Sequence, residues 1–235
     1  MQQIDFMIKE LEDDNQKKIL QRFKDEHLKR WKTRFPYVDL FLIPTGKDYG
    51  SVAETNLIKR LNGLTKHLGD PSYDAEYYEG NNLLKIEIKS LRAIKSKSKK
   101  TDEDEDKYIM ERIISIKEKN KKFSTSSFQQ VKPTNCDWFI FHIQYGDGER
   151  LFIIPSTLIS RTPGKDHCEF GKLPLSKQHD HNKEEGQINI GQVLKYKEYF
   201  EISPFNDSKS YNFADLKKEI SSRLDGINWM LPECG

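Results

Sequence analysis

Asp74, Glu87 and Lys89 are the residues whose types and spacing best fit a chemical site. Two carboxylates held side by side repel each other, and a bound divalent cation is the usual reason for keeping them together. Hard oxygen ligands suit Mg²⁺, which keeps several waters and takes one or two carboxylates. Lys89 follows Glu87 by two positions, so on a strand it points the same way and can position an attacking water or stabilise a phosphate. The three residues therefore predict metal-assisted cleavage of a phosphodiester.

Two strands, residues 73–79 and 82–91, must position these groups. The turn between them, Gly80-Asn81, suits a two-residue connection whose central residues need φ > 0. Such a turn fixes the register, which places Asp74 opposite Glu87 on one face of the hairpin. Alternation then leaves an apolar face on the other side, formed by Tyr73, Ala75, Tyr77, Leu84, Ile86 and Ile88.

A solvated hairpin is the competing interpretation. Asp74, Glu76, Lys85, Glu87 and Lys89 would then simply alternate in charge on an outer face, as on many surface strands. The context favours the catalytic interpretation, because an apolar strand runs into a lysine-rich segment and a helix with its own inward acid precedes it.

Glu54 on that preceding helix has two competing roles. Residues 45–54 predict a glycine-containing loop and a helix with Ser51 as its N-cap, and Glu54 three residues on completes a capping box. Glu54 also lies on the side of the predicted buried stripe, so it can instead reach the site from beneath the sheet. That stripe is formed by Leu57, Ile58 and Leu61.

In order and spacing, Asp74 and Glu87-Ile88-Lys89 resemble the motif of the PD-(D/E)xK nuclease superfamily, in particular type II restriction endonucleases. The resemblance covers about residues 40–155 and leaves Tyr73 where the family name has proline. It implies an α/β fold with a restriction-endonuclease-like core, in which helices flank a mixed central β-sheet.

The resemblance also implies roles for the site residues. Asp74, Glu87 and the carbonyl of Ile88 would hold Mg²⁺, for which Mn²⁺ can substitute. Lys89 would assist water attack, and Glu54 would support the metal site.

A rival triplet, Gln130-Val131-Lys132, has the QxK form that replaces ExK in some members of the superfamily. It precedes a predicted central strand at residues 136–145, a turn and a further strand at 150–155. We prefer Glu87-Ile88-Lys89, because only that triplet has an opposed upstream aspartate.

Clustered lysines predict contact with phosphates, although the formal net charge is only +2. A charged, solvated loop is the alternative for residues 96–106. The candidate DNA-binding residues are Lys47, Lys95, Lys97, Lys99, Lys100, Gln129, Gln130 and Lys132.

The length of 235 residues, with 35% hydrophobic and 32% charged, suits a single endonuclease domain. We expect a catalytic core at about residues 36–160 and an N-terminal helical region at 3–35. Residues 161–235 are expected to be loop-rich and to form a candidate DNA-recognition subdomain. Helical patterns also cover 106–120 and 213–224.

A cytoplasmic location is expected. No apolar run is long enough to span a bilayer, and the N-terminus lacks the charged-then-apolar pattern of a signal peptide. The three cysteines are widely spaced and do not form a disulfide framework. A zinc site would need better spacing than that of His167, Cys168, His179 and His181, which are interpreted mainly as loop residues.

Three functions follow from these residues. The first is a Mg²⁺-dependent type II restriction endonuclease that cuts double-stranded DNA at a short palindromic sequence as a homodimer, with a DNA methyltransferase as genomic neighbour. The second is a DNA repair or structure-selective nuclease of the same fold. The third is a non-catalytic nucleic-acid-binding or protein-interaction module.

Overall fold

The computed structural model of the protein describes Ile8 and residues 13–43, 46–69, 72–95, 112–118, 127–159, 178–179, 182–206 and 209–225. The helices within these residues are α1 (Asp14–Arg34), α2 (Val38–Phe41), α3 (Gly46–Arg60), α4 (Ile190–Lys195), α5 (Lys197–Phe200) and α6 (Phe213–Leu224). The strands are β1 (Leu61–Asn62), β2 (Thr65–Lys66), β3 (Ala75–Glu79), β4 (Asn82–Arg92), β5 (Ser127–Val131), β6 (Trp138–Tyr145), β7 (Gly148–Pro155), β8 (Gln178–His179), β9 (Asn182–Asn189), β10 (Glu201–Ile202) and β11 (Tyr211–Asn212).

The contacts divide the chain into two compact units. One comprises Met1–Thr45, Arg92–Ser124 and Tyr145–Gly148. The other comprises Gly46–Leu91, Thr125–Gln144 and Glu149–Gly235.

Helix α1 dominates the first unit. It begins at Asp14 because the carboxylate of Asp13 accepts the N–H of Asn15 at 2.7 Å, which satisfies one of the free donors of the first turn. The predicted N-terminal helix is thus present over Asp14–Arg34, and residues 3–12 lie outside the described range apart from Ile8. The unit's small core contains Phe35, Val38, Phe41 and Ile113, with Leu28 and Trp31 of α1 packed against it.

A six-stranded sheet in the order β10-β7-β6-β4-β3-β2 lies almost wholly in the second unit. As predicted, the chain is an α/β protein with a mixed multi-stranded sheet flanked by helices. The central strand β6 is buried at every position after Trp138, which explains its apolar residues on both faces. Two smaller sheets accompany it, one of β1 and β11 and one of β5, β9 and β8.

Helix α3 begins at Gly46, so the predicted N-cap and capping box at Ser51 are wrong. Tyr49 gives the physical reason, since it is 2% exposed and its hydroxyl donates to the carbonyl of Leu91 at 3.3 Å. This tertiary anchor outweighs the weak helix propensity of Gly50. The predicted stripe is buried at Leu57 and Leu61 and half-buried at Ile58.

The hairpin of β3 and β4 has the predicted register, with Glu79 opposite Asn82 and Ala75 opposite Ile86. The turn differs in detail. Gly80 has a φ of 61°, but among the described non-glycine residues only Gln130 has a positive φ, so the prediction of a positive φ at Asn81 is wrong. A positive φ at the first central residue alone is the pattern of a type II′ turn.

The assignment of Tyr73 to the apolar face is also wrong. Strand β3 begins at Ala75, so the alternation that placed Tyr73 does not reach it. Its ring stacks on His67 with centroids 4.2 Å apart, and its hydroxyl donates to Glu76 at 3.1 Å. Tyr73 therefore lies with the charged residues of the hairpin.

Two further patterns had different outcomes. The helix predicted at residues 106–120 is absent from its described part, 112–118, where Ile113 forms a bridge with Ile94 instead. Helix α6 confirms the pattern at 213–224.

Most of the described part of 161–235 forms regular strands and helices rather than loops, because pairing of β9 with β5 and β8 orders a polar segment. No helix in the described part of the chain is long and apolar enough to cross a membrane.

Candidate active site

Asp74 is held beside Glu87 by two hydrogen bonds to β4. Its N–H donates to the carbonyl of Ile86 at 3.0 Å, and its Oδ2 accepts the N–H of Ile88 at 2.7 Å. These two partners flank Glu87 in the chain. The ladder ends at Ala75, so the predicted strand pairing of Asp74 with Glu87 is not formed, and the two bonds to Ile86 and Ile88 hold Asp74 beside Glu87 instead.

Glu87 is a buried acid that is only half satisfied. It is 7% exposed, and Oε1 forms an ion pair with the ammonium of Lys89. Oε2 is buried and has no hydrogen-bond partner among the residues that the structure describes. Burial and then the nearby charge of Asp74 raise the pKa of Glu87 to about 7, although Lys89 opposes the shift. An uncompensated buried oxygen of this kind is costly unless a ligand takes it.

Burial also raises the pKa of Asp74. The hydrogen bond from Ile88 and the charge of Lys89 act against the shift, whereas the charge of Glu54 adds to it. The pKa values of both acids are therefore raised, because each is poorly hydrated and lies close to another carboxylate.

Glu54 lies near these acids, on helix α3 as the sequence indicated. Its carboxylate pairs with Lys66 at 2.9 Å and does not cap the helix. Lys66 lowers the pKa of Asp74, so it belongs to the same electrostatic cluster. Sequence reasoning did not find Lys66, because a single lysine on a two-residue strand belongs to no motif.

The rival triplet contributes its lysine to the same place. The charge of Lys132 lowers the pKa of Glu87, although burial outweighs it. Cys136 is also close, since burial and the charge of Glu87 raise the pKa of its buried thiol. Reciprocal bonds tie this segment to β4: Asp137 donates its N–H to the carbonyl of Lys85 at 2.8 Å and accepts the N–H of Lys85 at 2.7 Å. Lys132 is therefore the member of the rival triplet that lies near Glu87.

The described members of the predicted DNA-binding set belong to both units. Gln129 and Gln130 are exposed on β5, and Lys95 is half-buried in the first unit, where its carbonyl accepts the guanidinium of Arg112. Lys47 lies on α3, with its side chain outside the described atoms. Lys97, Lys99 and Lys100 lie outside the described residues, as do His167, Cys168 and His181.

A second buried polar cluster, which the sequence did not indicate, joins α3 to three strands. Arg60 donates to both oxygens of Glu149 at 3.0 and 2.7 Å. His142 bonds Glu149 through Nε2 at 3.0 Å and Ser90 through Nδ1 at 3.3 Å. Burial alone would raise the pKa of Glu149, but the hydrogen bonds from His142 and Arg60 outweigh it and lower the pKa to about 2. Both oxygens of this acid are occupied by the protein itself.

The acidic cluster fits a hard divalent cation through few protein ligands. Within the described residues, no group of three or more His, Cys, Asp or Glu is arranged to hold a metal. Asp74 and Glu87 supply two carboxylates, which is the number that Mg²⁺ commonly takes while keeping waters. Oε2 of Glu87, which has no partner among the described residues, gives such a cation a free ligand.

No protein-family model matches the chain, and no curated protein matches it. The geometry of the site is therefore the basis for a functional interpretation.

Proposed function

We propose that the chain is a Mg²⁺-dependent endodeoxyribonuclease of the type II restriction class, with a restriction-endonuclease-like core. It hydrolyses phosphodiester bonds of double-stranded DNA at a short palindromic sequence, as a homodimer in the cytoplasm. The observation that carries this proposal is Glu87, a buried carboxylate with one oxygen on Lys89 and the other without a partner in the described part of the chain.

The site residues have different roles, which follow from their chemistry. Asp74, Glu87 and the carbonyl of Ile88 hold the cation, with Mn²⁺ able to replace Mg²⁺. When bound, Mg²⁺ polarises the phosphate and lowers the pKa of a bound water. Lys89 orients the attacking water and stabilises negative charge on the phosphate.

Two lysines support this arrangement. Lys132 adds a second positive charge near Glu87. The ammonium of Lys66 lies 2.9 Å from the carboxylate of Glu54, and both charges act on Asp74. A module that only binds phosphates gains nothing from these clustered acids, because they repel its ligand. The acids therefore favour a nuclease over a binding module.

The test is incubation of the purified protein with unmethylated phage DNA, with Mg²⁺ or with EDTA, followed by gel electrophoresis. We expect discrete fragments that require the metal. A smear would instead assign the site to a repair or structure-selective nuclease. Intact DNA in both lanes would overturn the proposal. A methyltransferase gene next to this one would separately support the restriction class.

Substitution of Glu87 by Gln controls for a contaminating nuclease. The amide keeps the size of the side chain but removes the charge that the cation needs. Cleavage by the wild-type preparation that persists in the Glu87→Gln preparation would show that the activity belongs to another protein.

A further inference from the structure

The hairpin face that carries the acidic site continues toward the Gly80-Asn81 turn. On β4, Lys85 and Leu83 share the face of Glu87, because alternate residues of a strand point the same way. The register places Glu76 opposite Lys85 and Tyr78 opposite Leu83. We call Glu76, Tyr78, Leu83 and Lys85 the outer hairpin face.

The end of the outer hairpin face nearest the turn is exposed and largely apolar, and the hydroxyl of Tyr78 donates to Glu76 at 3.4 Å. Tyr78 is 57% exposed and Leu83 is 38% exposed, and the two form a directly opposed pair. Single exposed apolar residues are ordinary, but an adjacent pair on the face of a proposed site is a candidate contact surface. The other side of the hairpin is covered, since Tyr77 packs edge-on against Phe213 of α6 with centroids 5.2 Å apart.

The charges of the outer hairpin face leave a lysine available. Glu76 accepts hydrogen bonds from Nδ1 of His67 at 2.8 Å and from the hydroxyl of Tyr73 at 3.1 Å, and these bonds lower its pKa. Lys85 is exposed, and its ammonium lies 5.3 Å from the ring centroid of Tyr73. Across the described residues it has no acidic side-chain partner within 4.0 Å. Lys85 therefore offers one positive charge to a phosphate, beside the carboxylate of Glu76, which the protein already hydrogen-bonds.

We propose that the outer hairpin face binds duplex DNA beside the cleaved bond. Leu83 precedes Glu87 by four residues, which is roughly 14 Å along a strand and about four base steps of B-form DNA. Lys85 contacts a backbone phosphate, and Tyr78 and Leu83 pack against sugars and base edges in a groove. The choice of DNA as the partner rests on the proposed function.

The experiment measures binding of a fluorescent 30-base-pair duplex by anisotropy in EDTA, over a series of salt concentrations. We expect Lys85→Gln to reduce the slope of log K against log salt by about one, because one phosphate contact is lost. Tyr78→Ala combined with Leu83→Ser should weaken binding about tenfold, whereas Tyr78→Phe, which keeps the ring, should bind as the wild type does.

Matched substitutions on helices serve as controls. Lys218 on α6 and Val52 on α3 are exposed, so Lys218→Gln and Val52→Ser should leave binding unchanged. Equal binding by the wild type and all hairpin variants would overturn the inference. A change in oligomeric state on gel filtration without a change in DNA binding would also overturn it and would make this face a protein interface.

Cleavage of phage DNA by the same preparations separates this inference from the proposed function. If the wild type cleaves the DNA and the hairpin variants bind it as tightly as the wild type does, the inference about the outer hairpin face is wrong and the proposed function stands. If the wild type does not cleave the DNA but the hairpin variants bind it more weakly, the proposed nuclease function is wrong and the inference that the outer hairpin face binds DNA stands.

Discussion

Glu87 and Glu149 are both less than a tenth exposed and belong to the same unit, yet their pKa values move in opposite directions. The pKa of Glu149 falls to about 2, because His142 and Arg60 occupy both of its oxygens. The pKa of Glu87 rises to about 7, because within the described part of the chain burial is compensated at one oxygen only. A buried acid whose oxygens the protein occupies fits a part of the architecture, whereas a buried acid with an unoccupied oxygen is a candidate place for a ligand.

The cluster around Glu149 has the order hydroxyl, imidazole, carboxylate, which also occurs in hydrolase triads. Its surroundings favour a structural role. His142 is 3% exposed, and Arg60 holds Glu149 through two bonds. The cluster fixes the end of α3, the helix of Glu54, against the strand that carries Glu87 and Lys89.

The largest expected effect is on the rate of DNA cleavage, and it should appear at Lys89, which pairs with Glu87. Lys89→Ala should lower the single-turnover cleavage rate by roughly 10²- to 10³-fold, because one preorganised charge is lost from the transition state. Binding of DNA in EDTA should change little. An exposed lysine on α6 gives the control Lys218→Ala, which should cleave at the wild-type rate. A Lys89→Ala variant with full activity would remove this residue from the mechanism.

The next effect is on stability and should appear at Glu149. Glu149→Gln should lower the free energy of unfolding by about 3 kcal/mol, because it leaves the half-buried guanidinium of Arg60 without its counter-ion. Urea denaturation measures the change. Glu198→Gln, at an exposed glutamate of α5, should stay within about 0.5 kcal/mol of the wild type. A neutral effect of Glu149→Gln would mean that the cluster is not structural.

The pH dependence of stability should distinguish the two glutamates. A carboxyl group whose folded pKa is raised contributes stability that is present below the unfolded pKa of 4.5 and is lost as the pH rises through about 7. The free energy of unfolding of Glu87→Gln should therefore rise by about 2 to 3 kcal/mol relative to the wild type between pH 5 and pH 8. Denaturation of both proteins at the two pH values gives the difference. A constant difference would contradict the raised pKa.

The smallest effect tests the metal without using activity. At pH 8, Mg²⁺ at ten times its dissociation constant should stabilise the wild type by roughly 1.4 kcal/mol, since binding to the folded state shifts the unfolding equilibrium. Glu87→Gln should lose this gain, and Glu149→Gln should keep it. Thermal unfolding at matched ionic strength measures both. Equal stabilisation of all three proteins would place the cation elsewhere.

Local signals were sufficient for the hairpin and insufficient for its surroundings. The register of β3 and β4 follows from a two-residue turn and alternation, which are both short-range. The start of α3 depends on the contact of Tyr49 with Leu91, which no local pattern of residues 45–54 contains. Likewise, Arg60 and Glu149 are far apart in sequence and belong to no motif, so only the packed sheet reveals their pairing. The nuclease assignment itself stays a prediction.

The ion pair of Lys89 with Glu87 means that the site contains its own counter-ion. A structural zinc module is unfolded until its metal arrives, because its ligands have no other partner. Here an ammonium already compensates one carboxylate, so we expect the chain to fold without metal. Under the proposed function, folding and activation are therefore separate events, and we expect protein kept in a chelating buffer to stay folded and inactive until the ion is added.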